Sequence, residues 1–287
     1  MTRIVYINGD FVPENEAKVS VFDRAFLMAD AVYEVTSVLE GKLVDFAGHL
    51  LRLDRSLSEL QMRNPHDAET WLAIHRELVT RNAMSEGLVY LQVSRGAPGD
   101  RDFVWPDPAI CPPGVVMFTQ PKPALADNPD AARGWSVVSI DDLRWRRRDI
   151  KTVQLLYPSL AKMTAKGAGA DDAWLVEDGV VTEGTSNNAY IVKGNAIITR
   201  PLSNDILHGI TRAAVLRLAR ETQMEILERP FTIVEAQAAD EAFVTSASSF
   251  VMPVVKVDGV VLGDGKPGPV SRRLRAIYVE EMRKAAV

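Results

Sequence analysis

Cysteine is nearly absent from this chain. With Cys111 alone among 287 residues, no intrachain disulfide can form, and no cluster of thiolates can hold zinc or an iron–sulfur centre. Histidine is also sparse, and His49, His66, His75 and His208 show no spacing that binds a metal. No apolar run approaches the roughly 20 residues that span a bilayer. The N-terminal residues lack the long apolar stretch of a secretory signal. Positive charge is not in excess: Lys and Arg number 33 against 38 Asp and Glu, a net charge of −5. That balance argues against a nucleic-acid-binding surface, although the run Arg144-Trp145-Arg146-Arg147-Arg148 keeps a local basic patch open. No Gly-x-Gly-x-x-Gly fingerprint is read after a strand, and neither a Gly-Lys-Ser/Thr phosphate loop nor Gly-x-Ser-x-Gly is found. With 47% hydrophobic and 25% charged residues, the composition is that of a globular protein of one large or two smaller domains. A cytoplasmic enzyme acting on small molecules, with no membrane or nucleic-acid partner, is the expectation.

The patterning mixes strands and helices. Asn8-Gly9 between short β-prone runs predicts a hairpin, because both positions tolerate positive φ. Strands are predicted over 32–39, 89–94 and 115–119, and helices over 49–60 and 68–82, where apolar residues recur at helical spacing. The stretch from Pro106 to Pro129 holds seven of the sixteen prolines, so a linker is placed at 121–132 between an N-terminal domain, 1–120, and a C-terminal domain, 133–287. In the second domain, a strand is predicted over 135–140 and helices over 155–166, 210–223 and 270–286. Hairpins are predicted around Asp178-Gly179 and Gly194-Asn195, with late strands over 243–245 and 254–257. Strands joined mainly by hairpins argue for an α+β mixture rather than a doubly wound parallel sheet.

Several positions carry chemistry, each with a plainer alternative. Lys151, flanked by Ile150 and Val153, is placed to be half-buried; burial disfavours an ammonium, which suits a Schiff-base lysine, but a surface lysine is the commoner case. Glu183 opens the polar turn Glu183-Gly184-Thr185-Ser186-Asn187-Asn188, which reads either as a site or as a solvated turn. Gly209-Ile210-Thr211-Arg212 precedes a predicted helix whose free N–H groups suit an anion; alternatively Thr211 only caps that helix. Thr245-Ser246-Ala247-Ser248-Ser249 is a second phosphate-cradle candidate or simply a polar loop. Arg52 lies beside the stripe Leu50, Leu53, Leu57 and Leu60, where snorkelling is the ordinary reading. His49 and His75 face predicted cores and read as structural.

Taken in order, these segments are specific. Glu183-Gly-Thr-Ser-Asn-Asn188-Ala-Tyr190, Ile197-Ile-Thr199 and Leu207-His-Gly-Ile-Thr211-Arg212 together resemble the signature of class IV (fold type IV) pyridoxal-phosphate aminotransferases. Asp149-Ile150-Lys151-Thr152 is similar to the family's cofactor-lysine segment. Asp23-Arg24, Asp30-Ala31-Val32-Tyr33-Glu34-Val35 and His49-Leu50-Leu51-Arg52-Leu53 are similar to its N-terminal motifs. Val32-Tyr33-Glu34-Val35 and Arg101 look most like the D-amino-acid aminotransferases, since the branched-chain enzymes usually show Phe-Glu-Gly at that strand.

The resemblance implies a two-domain α/β fold with pyridoxal 5'-phosphate between the domains, and a homodimer. Lys151 would hold the cofactor and move the proton between the substrate Cα and the cofactor carbon. Glu183 would pair with the pyridine nitrogen. Arg52, Ile210, Thr211, Ser246 and Ala247 would bind the phosphate, with Ser186, Asn187 and Leu207 near the ring. Tyr33, Arg101, Phe103 and Ser248 would meet the substrate, Arg101 through its α-carboxylate. Two positions depart from the pattern. Phe103 stands where these enzymes usually carry a histidine, which removes one carboxylate donor. Ala247 stands where a threonine often donates, with Ser246 or Ser248 as substitutes. The implied reaction is transamination between a D-amino acid and a 2-keto acid. The alternatives are an (R)-selective amine transaminase or branched-chain L-aminotransferase, a pyridoxal-phosphate lyase such as aminodeoxychorismate lyase, and a non-catalytic binding protein of the same fold.

Overall fold

The computed structural model describes residues 2–287, which fall into two compact units. The first takes the chain to Pro123 together with Ile150–Gln154 and Ala285–Val287. Its strands are β1 (Ile4–Ile7), β2 (Asp10–Pro13), β3 (Ala31–Leu39), β4 (Lys42–Leu43), β5 (Gly87–Ser94) and β6 (Gly114–Pro121). They form one antiparallel sheet in the order β2-β1-β6-β5-β3-β4. The predicted Asn8-Gly9 turn joins β1 to β2, with positive φ at both residues. The helices are α1 (Arg24–Met28), α2 (Phe46–Glu59) and α3 (Ala68–Arg81). Leu53 and Leu57 of α2, and Trp71, Ile74 and Leu78 of α3, are sealed against Val32, Leu91, Val93 and Met117 of the sheet. Burying each such side chain contributes about 1.5–3 kcal/mol. Helix α1 escapes the periodicity because it is five residues long; the Asp23 carboxylate caps it by accepting the Ala25 N–H.

One consequence of this sheet governs the rest. Strand β4 pairs only with Val38 and Leu39, which leaves the N-terminal half of β3 unpaired on that edge. The segment 150–153 fills it: Lys151 C=O accepts the Tyr33 N–H at 3.0 Å, and the Val153 N–H reaches Ala31 C=O at 3.1 Å. Ile150 enters the core of this unit. Lys151 is thus fixed by backbone pairing rather than carried on a free loop.

The second unit takes residues 124–149 and 155–284. Its helices are α4 (Asp130–Arg133), α5 (Leu156–Gly167), α6 (Ile210–Glu221), α7 (Ile233–Gln237) and α8 (Pro269–Ala285). Its strands are β7 (Trp135–Asp141), β8 (Asp172–Glu177), β9 (Val180–Gly184), β10 (Asn188–Lys193), β11 (Ala196–Thr199), β12 (Glu225–Glu228), β13 (Glu241–Ser246), β14 (Phe250–Val257) and β15 (Val260–Val261). The order is β12-β11-β10-β13-β14-β7-β8-β9, with β15 beside β14. The sheet is mixed: β11–β12, β14–β7 and β7–β8 are parallel, which hairpin spacing alone did not reveal.

The reading that no Gly-x-Gly-x-x-Gly follows a strand is corrected here. Gly263-Asp264-Gly265-Lys266-Pro267-Gly268 lies between β15 and α8. The setting is nevertheless wrong for a dinucleotide, because β15 is a two-residue antiparallel partner of β14. The start of α8 is also taken, since the Val270 and Ser271 N–H groups both donate to the Glu241 carboxylate, at 2.9 and 3.0 Å. An acid of the chain already occupies the place a phosphate would need.

Candidate active site

In the first unit, the alternation of β3 sends Tyr33 and Glu34 to opposite faces. Glu34 is buried against α2. Arg52 grips it with two parallel bonds, Nε to Oε1 at 2.8 Å and Nη2 to Oε2 at 2.7 Å, and His49 Nδ1 lies 2.7 Å from Oε2. Burial pushes the Glu34 carboxyl up, but the Arg52 charge and the bonds from Arg52 and His49 outweigh it and hold it at about 2. The snorkelling reading of Arg52 is therefore overturned: the guanidinium turns inward and is itself buried. His49 and His75 are buried as expected. Burial holds His75 down to about 4, against the Trp71 carbonyl that accepts from its Nδ1. On the other face, the Lys151 Nζ sits 4.0 Å from the centre of the Tyr33 ring. Tyr33 stacks on Tyr90, and Tyr90 on Phe118. Lys151 is half-buried, and its N–H points to the Ser56 hydroxyl at 3.3 Å. Arg101 and Phe103 stand exposed on the loop after β5, the guanidinium 4.9 Å from the phenyl centre.

In the second unit, Glu183 ends β9 and is buried. Its Oε1 accepts Arg144 Nη1 at 2.7 Å, and its Oε2 accepts Asn188 Nδ2 and the Leu207 N–H, each at 3.0 Å. Burial pushes the Glu183 carboxyl above its ordinary value, with the Arg144 guanidinium and these donors pulling the other way. Asp142 holds Arg144 from behind through two bonds of 2.9 and 2.7 Å, and takes the Thr182 hydroxyl at 2.7 Å. Arg148 pairs with Asp142 and Glu177, and Arg147 with Asp149. The run 144–148 is therefore not a free basic patch, because three of its four arginines are engaged by carboxylates of the same unit.

Asn188 ties this site together. Its Nδ2 donates to both Glu183 and the Leu207 C=O. Its cross-strand partner is Thr245, at the start of the serine loop. A Cβ on Gly209 would come within 2.1 Å of the Asn188 Oδ1, so only glycine lets the start of α6 approach so closely. The reading of Thr211 as the cap of its own helix fails: Gly209 is the N-cap of α6, and no side chain caps it. The N–H groups of Ile210 and Thr211 have no partner among the described residues. Ser246 joins Ser249 at 2.7 Å and Ser248 at 3.3 Å, closing the loop around Ala247. Ser186 is exposed, whereas the Asn187 amide is buried and donates to Asp172 at 2.6 Å, beside the Thr185 hydroxyl at 2.6 Å.

Three contributors were not singled out from sequence. Arg144 was visible only as one of a run. Asn188 was one polar residue in a polar turn. Glu34 carried a signal of its own, since a charged residue midway along an apolar strand needs a buried cation.

A family model for amino-transferase class IV matches residues 31–257. The chain belongs to that family. The D-alanine aminotransferase of Staphylococcus haemolyticus is 39% identical over 276 residues, covering 96% of this chain and 96% of its own length. That of Bacillus licheniformis is 37% identical over 274 residues, 94% of each. Among solved structures, a T.th. branched-chain amino acid aminotransferase with pyridoxamine 5'-phosphate aligns with a TM-score of 0.89 at 29% identity, over 98% of this chain and 94% of that one.

The Glu34 clamp yields a stability prediction. A carboxyl held at about 2 in the fold, against 4.5 in the open chain, contributes roughly 3 kcal/mol above the unfolded value. That contribution is lost as pH falls from about 4.5 towards 2. Glu34→Gln leaves Arg52 and His49 buried without their anion and should cost about 3–5 kcal/mol at pH 7. Denaturant titrations at several pH values should show the acid-side decline in the parent and a flatter one in the variant. Equal slopes would contradict the clamp.

Proposed function

We propose that this class IV aminotransferase moves an amino group between a D-amino acid and a 2-keto acid, with pyridoxal 5'-phosphate as its cofactor. The near full-length similarity to the D-alanine aminotransferases carries this reading. The residues present fit the cofactor. The first turn of α6 offers unpartnered N–H groups and the Thr211 hydroxyl, which suit a phosphate. The buried Glu183 carboxylate suits a protonated pyridine nitrogen, and Lys151 supplies the amine. When bound, the cofactor supplies an electron sink for the charge left on the substrate carbon.

The chain does the rest. Lys151 Nζ, braced by its backbone pairing to β3, would hold the cofactor and carry the proton taken from the substrate Cα. The Tyr33 ring under that nitrogen limits where it swings. Glu183, held by Arg144, Asn188 and the Leu207 N–H, needs no rearrangement to face a cation. Arg52, fixed through Glu34, and Ile210, Thr211, Ser246 and Ala247 would bind the cofactor's phosphate. Ser186, Asn187 and Leu207 would lie near the ring, the Asn187 amide being held by Asp172. Arg101 meets the substrate α-carboxylate, and Tyr33, Phe103 and Ser248 line its side chain.

We also infer a homodimer. In the first unit, Phe26, Phe103 and Ile110 are 74%, 76% and 82% exposed, with Val21, Val104 and Trp105 exposed beside them in sequence. Apolar side chains displayed in this number mark an interface, and a second copy is the occupant that the family resemblance implies. Sedimentation should give twice the chain mass; a monomer at micromolar concentration would refute it.

A branched-chain reading competes, favoured by the apolar Phe103 and by the structural neighbours. The half-reaction decides. D-alanine should bleach the cofactor absorption rapidly and yield pyruvate, whereas L-leucine and (R)-1-phenylethylamine should react far more slowly. Rapid reaction of L-leucine with none of D-alanine would replace the proposal. Borohydride should fix the cofactor on Lys151 in the parent and fail to do so in Lys151→Ala.

A further inference from the structure

The loop that carries Arg101 has no regular structure between Gly96 and Cys111, yet it is closed at its base and clipped near its tip. At the base, Gly96 has φ of +95°, and a Cβ there would lie 2.2 Å from the Pro112 carbonyl oxygen. The Cys111 thiol meets the Arg95 carbonyl at 3.6 Å. Near the tip, Arg24 reaches up from α1. Its guanidinium is almost wholly buried, an unusual state for an arginine. Nε donates to Asp30 Oδ2 at 2.7 Å, while Nη1 donates to the carbonyl oxygens of Asp102 and Val104, the latter at 3.4 Å. Those carbonyls flank Phe103 and begin one residue after Arg101. The Arg24 N–H also donates to the Gly96 carbonyl at 3.0 Å.

The same Asp30 oxygen takes Arg95 Nε at 2.8 Å, and the Arg95 guanidinium lies 4.0 Å from the Trp105 ring centre. Two arginines therefore share one carboxylate: Arg24 spends its Nη1 on the loop carbonyls, and Arg95 lays its flat face on Trp105 while its Nη2 donates to the Leu60 carbonyl at 2.8 Å. A loop this long loses much conformational entropy when ordered, and its own bonds, such as Asp102 Oδ1 with the Val104 N–H, are local. The planar fork of an arginine reaches an acid and two carbonyls at once, which a lysine ammonium on its single point of charge does not.

We infer that Arg24 is a positioning residue for substrate recognition: anchored on Asp30, it latches the Asp102–Val104 backbone and so sets where Arg101 and Phe103 are presented. This rests on the reading above in which Arg101 binds the substrate α-carboxylate. Arg24 itself touches no substrate.

The test compares D-alanine with D-alaninol, which lacks the carboxylate, in single-turnover half-reactions of the holoenzyme. Arg24→Gln should lower the second-order rate constant for D-alanine roughly tenfold, the scale of one lost charge-assisted hydrogen bond. The constant for D-alaninol should stay within about twofold, with cofactor absorption unchanged and trypsin cutting faster after Arg101. Arg24→Lys, read in the same way, should fall between the two and covers the case in which the glutamine variant does not fold. If Arg101→Ala slows D-alanine but neither Arg24 variant does, or if both amines slow equally, the latch is overturned. If Arg101→Ala leaves D-alanine unaffected, the carboxylate reading itself falls.

Discussion

A carboxylate survives away from water only where cations and N–H groups close around it. Among its carboxylates, the buried Glu34 and Glu183 and the largely enclosed Asp30 meet that demand with arginine. Glu34 is held by Arg52 and His49, Glu183 by Arg144, Asn188 and the Leu207 N–H, and Asp30 by Arg24 and Arg95. Each cluster fixes a guanidinium or a carboxylate in one orientation at a place where the proposed chemistry needs a charge that does not move. Buried ion pairs add little net stability over an apolar core of the same volume. Their value lies in orientation, and removing any one partner strands a charge.

The clusters have different tasks. Around Glu34 the anion does the positioning, and Arg52 is the group presented. Around Glu183 the roles reverse: Asp142 steadies Arg144, which steadies the glutamate, so the charge offered is negative. The opposing effects of burial and Arg144 leave the Glu183 carboxyl above its ordinary value, which suits an acid that is to share a proton with a ring nitrogen. At Asp30 the acid is shared by two cations, and the excess positive charge faces loop carbonyls and the Trp105 ring.

Much of this was legible from residues alone, where the signal was local. Apolar runs marked β3 and β5, the Asn8-Gly9 turn marked the first hairpin, and apolar spacing marked α3 and α6 within a residue or two and α2 from its second turn onward. The ordered motifs around Lys151, Glu183 and Thr211 pointed to the family. What stayed hidden depends on contacts distant in sequence. The edge of β3 that receives Lys151 exists only because β4 is two residues long. The parallel pairings of β7 with β8 and β14 need crossovers that no hairpin signal encodes. Arg144 and Arg148 looked like a solvated run because their acids lie up to 39 residues away. The glycine fingerprint before α8 misleads in the opposite direction, since Glu241 has already filled the helix start.

The central claim is that Glu183, kept in place by Arg144 and Asn188, is the charged partner of the cofactor's ring nitrogen. Its most direct test is the nitrogen-15 chemical shift of the pyridine nitrogen in holoenzyme loaded with labelled pyridoxal phosphate at neutral pH. The account predicts the shift of a protonated pyridinium, moving towards that of the neutral ring in Glu183→Gln. A neutral pyridine in the parent protein, or no change in the variant, would contradict it.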